Sequence, residues 1–279
     1  MREISTSKIK SALEEAIIRA EYNIDPDIEL SVKHHLEKER SPLGRQVLGQ
    51  LLENYKIAAT DNIAICQDTG MCIIYASIGQ DVHIFGGSFE KCINESVASA
   101  YTNLRKSIVD DPLYDRHNTK DNTPAVIHTR IVDGEGIELL VLCKGFGSEN
   151  MSKIKMLPPS AGEEGIIDFV VDAVRSASAN PCPPIILGVC IGGDFEQAAL
   201  YAKLMTAQSM DYHHSDPRYV HLEEILTDRI EKLGIGPAGL GGDTTMLKCN
   251  ICSLPTHIAG MPCAVSVCCH ASRHARIVL

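Results

Sequence analysis

The stretch "MCIIYASI", residues 71–78, is where the helical spacing of this chain gives way to the shorter repeat of a strand. Upstream of it, Ile9, Leu13, Ala16, Ile17 and Ala20 fall on one helical face. "DPD" at 25–27 and "SP" at 41–42 each supply an N-cap followed by proline at the first helical position. Residues 1–60 are therefore expected to be mostly helix. Downstream, "VHIFGG" reads as a second strand and "FEKCINESVASAYTNLRKSIVD", residues 89–110, as a helix. The polar stretch "DPLYDRHNTKDNTP", residues 111–124, breaks the periodicity with turn formers. It leads into "AVIHTRIV" and "GIELLVLCKG", which read as a strand pair joined by "DGE".

The second half repeats this alternation without an internal sequence repeat. "EEGIIDFVVDAVRSAS" reads as a helix, "PPIILGVCIGG" as a buried strand, and "DFEQAALYAKLMTAQSM" as a helix with Asp194 and Glu196 in its first turn. "YVHLEEILTDRIEKLG" is a helix ended by glycine, and "GIGPAGLGGDTT" a loop. Two apolar stretches close the chain, the last ending on an apolar triplet that suits either a terminal strand or a continuation by another chain. The expected class is α+β, a helix-rich N-terminal region packed around mixed and antiparallel β-sheets.

Composition narrows the function. With 279 residues, 44% hydrophobic and 22% charged, the chain has enough apolar surface for one large or two small domains. A net charge of −10 and the lack of any run of five basic residues argue against a nucleic-acid surface. The absence of Trp and an aromatic content of 5% argue against a base-stacking platform. "MREISTSKIKSALEEAIIRA" carries acids and no uninterrupted apolar core, so neither a signal peptide nor a membrane anchor is expected, and the protein is expected to be cytoplasmic. In a reducing compartment its eleven cysteines read as thiols, metal ligands or reactive groups rather than disulfides.

"CNIC" at 249–252, followed by Cys263 and Cys268, has the look of a zinc knuckle, and a zinc-stabilised, non-catalytic binding module is the rival reading. Against it, Cys249 and Cys252 lie in the apolar segment "MLKCNICSLP", where alternation points them to opposite faces. Most of the eleven are expected to be packing residues. Three have better surroundings. Cys66 precedes "QDTG", Cys182 sits between prolines in "NPCPP", and Cys269 begins "CHASRHAR" beside basic residues that favour a thiolate. Widely separated cysteines of this kind suit a cluster assembled by the fold, although spacing alone does not select them.

"CQDTG", "DRHNTKDNTP", "KGFGSENMS", "NPCPP", "IGGDFE", "LPTHIAGMP" and "CHASRHA" occur in the order and approximate spacing of the class I fumarase family, which includes fumarate hydratases and L-tartrate dehydratases. The chain resembles that family over nearly its whole length, as its N-terminal catalytic domain or separate alpha subunit, spanning residues 1–279 with the helical lead-in 1–60 inside it. The resemblance implies a 4Fe-4S cluster held by Cys66, Cys182 and Cys269, with one iron left open for substrate. Cys190 and Cys268 are then packing residues, though Cys268 competes with Cys269 if the final strand slips by one residue.

On the same resemblance, Asp68 would donate or accept the hydroxyl proton beside that iron. Its other reading is an Asx-turn in "QDTG". Gln67 looks like a substrate hydrogen-bond donor. Arg116 suits a substrate carboxylate, with a solvated loop arginine as its alternative. Gly145 and Gly147 could offer backbone N–H groups to the other carboxylate, though a lone G-x-G is a weak signal. His257 is implied as a hydrogen-bonding site residue; taken alone, it reads as a satisfied core histidine. His270 and Arg273 are expected to support the cluster or its loop.

In the family the carbon base, a threonine, and further cations come from a second C-terminal domain or a beta subunit. The implied function is the alpha subunit of an iron-sulfur hydro-lyase, inactive alone, acting on a small dicarboxylate within a homo- or hetero-oligomer. Fumarate hydration to L-malate is the first reading and L-tartrate dehydration the alternative.

Overall fold

The computed structural model describes residues 1–279. Its elements begin with β1 (Arg2–Ser5), α1 (Thr6–Tyr22), α2 (Pro26–Lys38), α3 (Pro42–Asp61), β2 (Met71–Gly79), β3 (Val82–Phe85) and α4 (Phe89–Ala100). Then come β4 (Val126–Val132), β5 (Ile137–Lys144), α5 (Phe146–Glu149), β6 (Lys153–Leu157), α6 (Gly162–Ala177) and β7 (Ile185–Gly193). The last are α7 (Phe195–Met205), α8 (Pro217–Glu231), β8 (Met246–Thr256), β9 (Met261–Cys268) and β10 (His274–Val278). The class is α+β, as the alternation of patterns predicts. No helix is long and apolar enough to cross a membrane. The chain divides into two compact units, the first made of residues 1–24, 55–146 and 273–279, the second of 25–54 and 147–272.

In the first unit a mixed sheet runs β10-β5-β2-β4, with β2 antiparallel to β5 and parallel to β4. β4 and β5 are therefore not the pair expected from "DGE"; β2 lies between them. The connecting residues close over the end of β2 instead. Gly79 and Asp81 donate their N–H groups to the carbonyls of Gly136 and Gly134 at 2.8 and 3.0 Å, and a Cβ on Gly79 would sit 2.4 Å from the Gly134 oxygen. An almost wholly apolar strand such as β2 is stable when paired on both edges, and this arrangement supplies both partners. The chain ends in β10, which pairs antiparallel with β5.

α1 buries the face read from the sequence: Ile9, Leu13, Ala16, Ile17 and Ala20 pack with Ile93, Val97 and Tyr101 over Ile74, Leu139 and Val141. Ser5 caps α1 by accepting the Lys8 N–H. Residues 2–5 are a strand paired with β3, at the start of the mostly helical lead-in. α4 stops at Ala100, ten residues short of the expected end. Its apolar spacing continues through Tyr101, Leu104 and Ile108, all buried, but Thr102 Oγ1 turns back to the Ser99 carbonyl at 2.7 Å and the chain leaves the helix.

In the second unit the sheet runs β6-β9-β7-β8. β7 is parallel to β8 and antiparallel to β9, and is buried on both faces. α6 and α8 cover one face and α7 the other. α7 lies close because of Gly188, where a Cβ would come within 1.9 Å of the Ala202 carbonyl oxygen. α7 ends at Met205 rather than Met210, with Thr206 Oγ1 bonded back to the Lys203 carbonyl. The loop after α8 is clamped by carboxylates. Glu39 accepts from the N–H groups of Asp243 and Thr244, and Glu231 from those of Thr245 and Met246.

Candidate active site

Residues 65–70, which carry Cys66, Gln67 and Asp68, form an irregular segment held from several sides within the first unit. The Ile65 N–H donates to the Glu21 carbonyl at 2.9 Å, the Tyr101 hydroxyl to the Thr69 carbonyl at 2.6 Å, and Thr69 Oγ1 to the Arg105 carbonyl at 2.6 Å. Gly70 has φ +73°, and a Cβ there would meet the Lys144 carbonyl at 2.5 Å, so only glycine lets the segment lie on the end of β5. Asn122, fully buried, donates to the Gly70 carbonyl at 3.1 Å and accepts from the Ser107 N–H at 2.7 Å, which ties the base of the polar loop to the same place.

Asp68 is half-buried. Its Oδ1 accepts from the Gly70 N–H at 3.0 Å, the Asx-turn of its alternative reading, and its Oδ2 accepts from the Phe146 N–H at 2.8 Å. A Cβ built on Gly145 would lie 3.1 Å from Asp68 Oδ2 and 3.2 Å from Arg273 Nη2, so a carboxylate and a guanidinium border the same bare stretch of backbone. Two N–H donors and a nearby cation orient the carboxylate in one pose. The amide between Gly145 and Gly147 is thus used by Asp68. Gly147 belongs to the second unit and is exposed.

Gln67 is exposed beside Asp68. Arg116 is exposed in the polar loop at φ +50°, its guanidinium donating to the Pro112 carbonyl. In the second unit His257 lies in the exposed turn between β8 and β9 rather than in a core. Its Nδ1 accepts the Ala259 N–H at 3.2 Å, which leaves Nε2 as the protonated, donating nitrogen of a neutral ring. His270 is half-buried just past β9.

The cysteines separate by accessibility. Cys182 is exposed and Cys66 and Cys269 are half-buried, whereas the other eight are buried. Cys182 holds a left-handed backbone at φ +54°, a conformation that costs a non-glycine residue about 1–3 kcal/mol and persists only where the surroundings enforce it. Cys268 ends β9 in the ladder with β7, paired with Ile186, while Cys269 lies beyond the last paired residue. Cys66 is on the first unit, Cys182 and Cys269 on the second. Within either unit, no three His, Cys, Asp or Glu side chains are gathered to hold a metal ion.

The zinc knuckle is not formed. Cys249 and Cys263 pack with α6 and α8 on one face of the sheet, while Cys252 packs with Cys190 under α7 on the other. Sulfurs on opposite faces cannot surround one ion. Burial also pushes the Cys263 thiol up to about 12 and Cys249 higher still, away from the thiolate a metal needs.

Glu21 and Tyr101, neighbours of this site, escaped the sequence reading. The available signal was an acid at position 21 on the apolar face of α1, one turn beyond Ile17. Glu21 is fully enclosed and its Oε2 accepts Arg273 Nη1 at 2.9 Å. Burial raises the Glu21 carboxyl to about 7, against the lowering influence of Arg273. The folded protein then binds a proton here that the unfolded chain has released above its ordinary 4.5. Stability should therefore fall as pH rises from about 4.5 to 7, by on the order of 3 kcal/mol from this group. Unfolding measured from pH 4 to 8 in the natural protein and in Glu21→Gln should show that part of the slope lost in the variant; equal slopes would contradict it.

The profile of the Fumarate hydratase (Fumerase) family matches residues 10–278. A Methanocaldococcus jannaschii protein provisionally named L(+)-tartrate dehydratase subunit alpha is 34% identical over 279 residues, covering 96% of each chain. The L(+)-tartrate dehydratase subunit alpha of Escherichia coli K12 is 29% identical over 259 residues, covering 91% of this chain and 84% of its own. With the family profile spanning nearly every element described above, the chain belongs to the Fumarate hydratase (Fumerase) family.

Proposed function

We propose that the chain is the alpha subunit of an iron-sulfur hydro-lyase that interconverts fumarate and L-malate, with a separate beta subunit completing its site. The observation that carries this reading is accessibility: the three thiols that the family pattern selects, Cys66, Cys182 and Cys269, are the three of eleven that the fold does not bury. Three thiolate donors and no fourth fit a 4Fe-4S cluster with one open iron, and Cys269 fits better than the buried Cys268. When bound, such a cluster supplies a Lewis acid for the substrate hydroxyl and one carboxylate.

The chain's own residues would do the rest. Asp68, held by the Gly70 and Phe146 N–H groups, stands two residues from Cys66 and would hold or accept the hydroxyl proton. Gln67 and the donating Nε2 of His257 would hydrogen-bond substrate. Arg116 would trade the Pro112 carbonyl for a substrate carboxylate, to which a guanidinium offers two parallel bonds. Gly145 keeps the backbone beside Asp68 bare, and the exposed Gly147 would offer its N–H group to the other substrate carboxylate. His270 and Arg273 support the segments around them. The carbon base and further cations are assigned to the beta subunit, in a cytoplasmic hetero-oligomer.

L(+)-tartrate is the second reading, favoured by the names of the relatives; those names also include "subunit alpha", which supports a partner. The test is anaerobic reconstitution with iron and sulfide, followed by assay of malate and tartrate dehydration with and without the product of the neighbouring gene. Turnover of one substrate only in the presence of that partner is expected. Full turnover by the chain alone would refute the partner, and no turnover of either substrate by the complex would refute the reaction.

A further inference from the structure

A closed polar cluster lies next to Asp68, and the reaction above gives its central carboxyl no task. At its centre is Glu21, on the inner face of α1. Its Oε2 accepts Arg273 Nη1 at 2.9 Å and its Oε1 lies 3.2 Å from the Tyr101 hydroxyl, which in turn donates to the Thr69 carbonyl at 2.6 Å. Cys72 Sγ is 3.7 Å from the same hydroxyl. Glu21 and Tyr101 are both fully buried.

Stability does not account for this arrangement. Removing two opposite charges from water costs several kcal/mol per ion, and well-packed apolar side chains in their place are often as stable or more so. Geometry gives a better account. One arm of the Arg273 guanidinium, Nη1, is tied to Glu21, and the other, Nη2, stands against the bare backbone of Gly145, on the side where Asp68 Oδ2 lies. The second branch from Glu21 runs through Tyr101 to Thr69, the residue after Asp68. Both branches begin at one carboxyl and end on what borders Asp68.

We infer that Glu21 is a positioning residue, which through Arg273 and Tyr101 fixes where the Asp68 carboxyl stands and keeps a cation beside it. This rests on the reading that Asp68 handles the hydroxyl proton. A carboxyl misplaced by about 1 Å loses on the order of 100-fold in rate, whereas contacts that bind substrate elsewhere are untouched. The signature is thus a loss in kcat at constant KM.

The test uses Glu21→Gln in the full chain, loaded with iron and sulfide and combined with its partner. At pH 8, where the Glu21 carboxyl has lost its proton, Gln keeps the shape and a Tyr101 acceptor but drops the charge that holds Arg273. The expected result is wild-type iron content, kcat lower by about 10- to 100-fold and KM within about two-fold. In arginine-15N NMR of the same samples, the Nη signals of Arg273 should be resolved in the natural protein and averaged by rotation in the variant. Unchanged kcat, or equally resolved Nη signals, would overturn the inference. If the natural complex turns over neither malate nor tartrate, the reaction reading fails and the NMR comparison alone decides this one. If Glu21→Gln does not fold, Tyr101→Phe carries the test, with kcat lower at constant KM supporting the inference and wild-type kcat overturning it.

Discussion

Replacing Cys66, Cys182 or Cys269 by serine is expected to strip the protein of most of its iron and to lower dehydration by at least about 1,000-fold, because a hydroxyl is a poor substitute for a soft thiolate ligand. Cys249→Ala should keep full iron content. Its thiol is buried in the sheet core and stays protonated, and its loss should cost only about 1–2 kcal/mol of stability. The contrast between the two classes is the point, since all eleven are thiols and only three are open. Iron and sulfide analysis of anaerobically purified variants reads it directly. A Cys249 variant that lost its metal, or a Cys182 variant that kept all of it, would reverse the assignment.

Asp68→Asn should lower kcat by about 100- to 10,000-fold, the range supplied by a positioned proton donor or acceptor, with iron content unchanged. A second effect separates this from a packing role. Both carboxylate oxygens accept backbone N–H groups, Gly70 at 3.0 Å and Phe146 at 2.8 Å. Asparagine has one acceptor oxygen and must turn its amide NH2 toward the other donor, at a cost of about 1–3 kcal/mol. A variant that lost stability but kept its rate would leave Asp68 as an Asx-turn residue and no more.

Much of the architecture was readable because burial imposes a period. The α1 face from Ile9 to Ala20 and the all-apolar β7 appear where their spacing puts them. Where the reading went wrong, the local pattern carried no information about partners. "DGE" between two apolar runs resembles a hairpin turn, and nothing in either run says that β2 must lie between them. Tyr101, Leu104 and Ile108 keep helical spacing beyond α4, since each is buried by the surrounding fold and not by a helix. β6, with its Lys153 and Lys155 outside a buried Leu157, is too short and polar to announce itself.

The site divides in the same way. Spacing could not choose three cysteines from eleven; the family pattern chose them, and their exposure distinguishes them physically. The opposite faces of Cys249 and Cys252 were legible, because residues three apart on a strand point apart. Glu21 was visible only as an acid on an apolar face, and its partner Arg273 lies 252 residues away, a separation that no local rule bridges.

The most direct test of the central claim, that three open thiols hold one cluster, is metal analysis of the full chain purified without oxygen. The account predicts a brown protein with iron and sulfide in the proportion of one 4Fe-4S cluster per chain, lost on serine substitution of Cys66, Cys182 or Cys269. A colourless protein that takes up no iron and sulfide on reconstitution, or one that holds a single zinc, would contradict it.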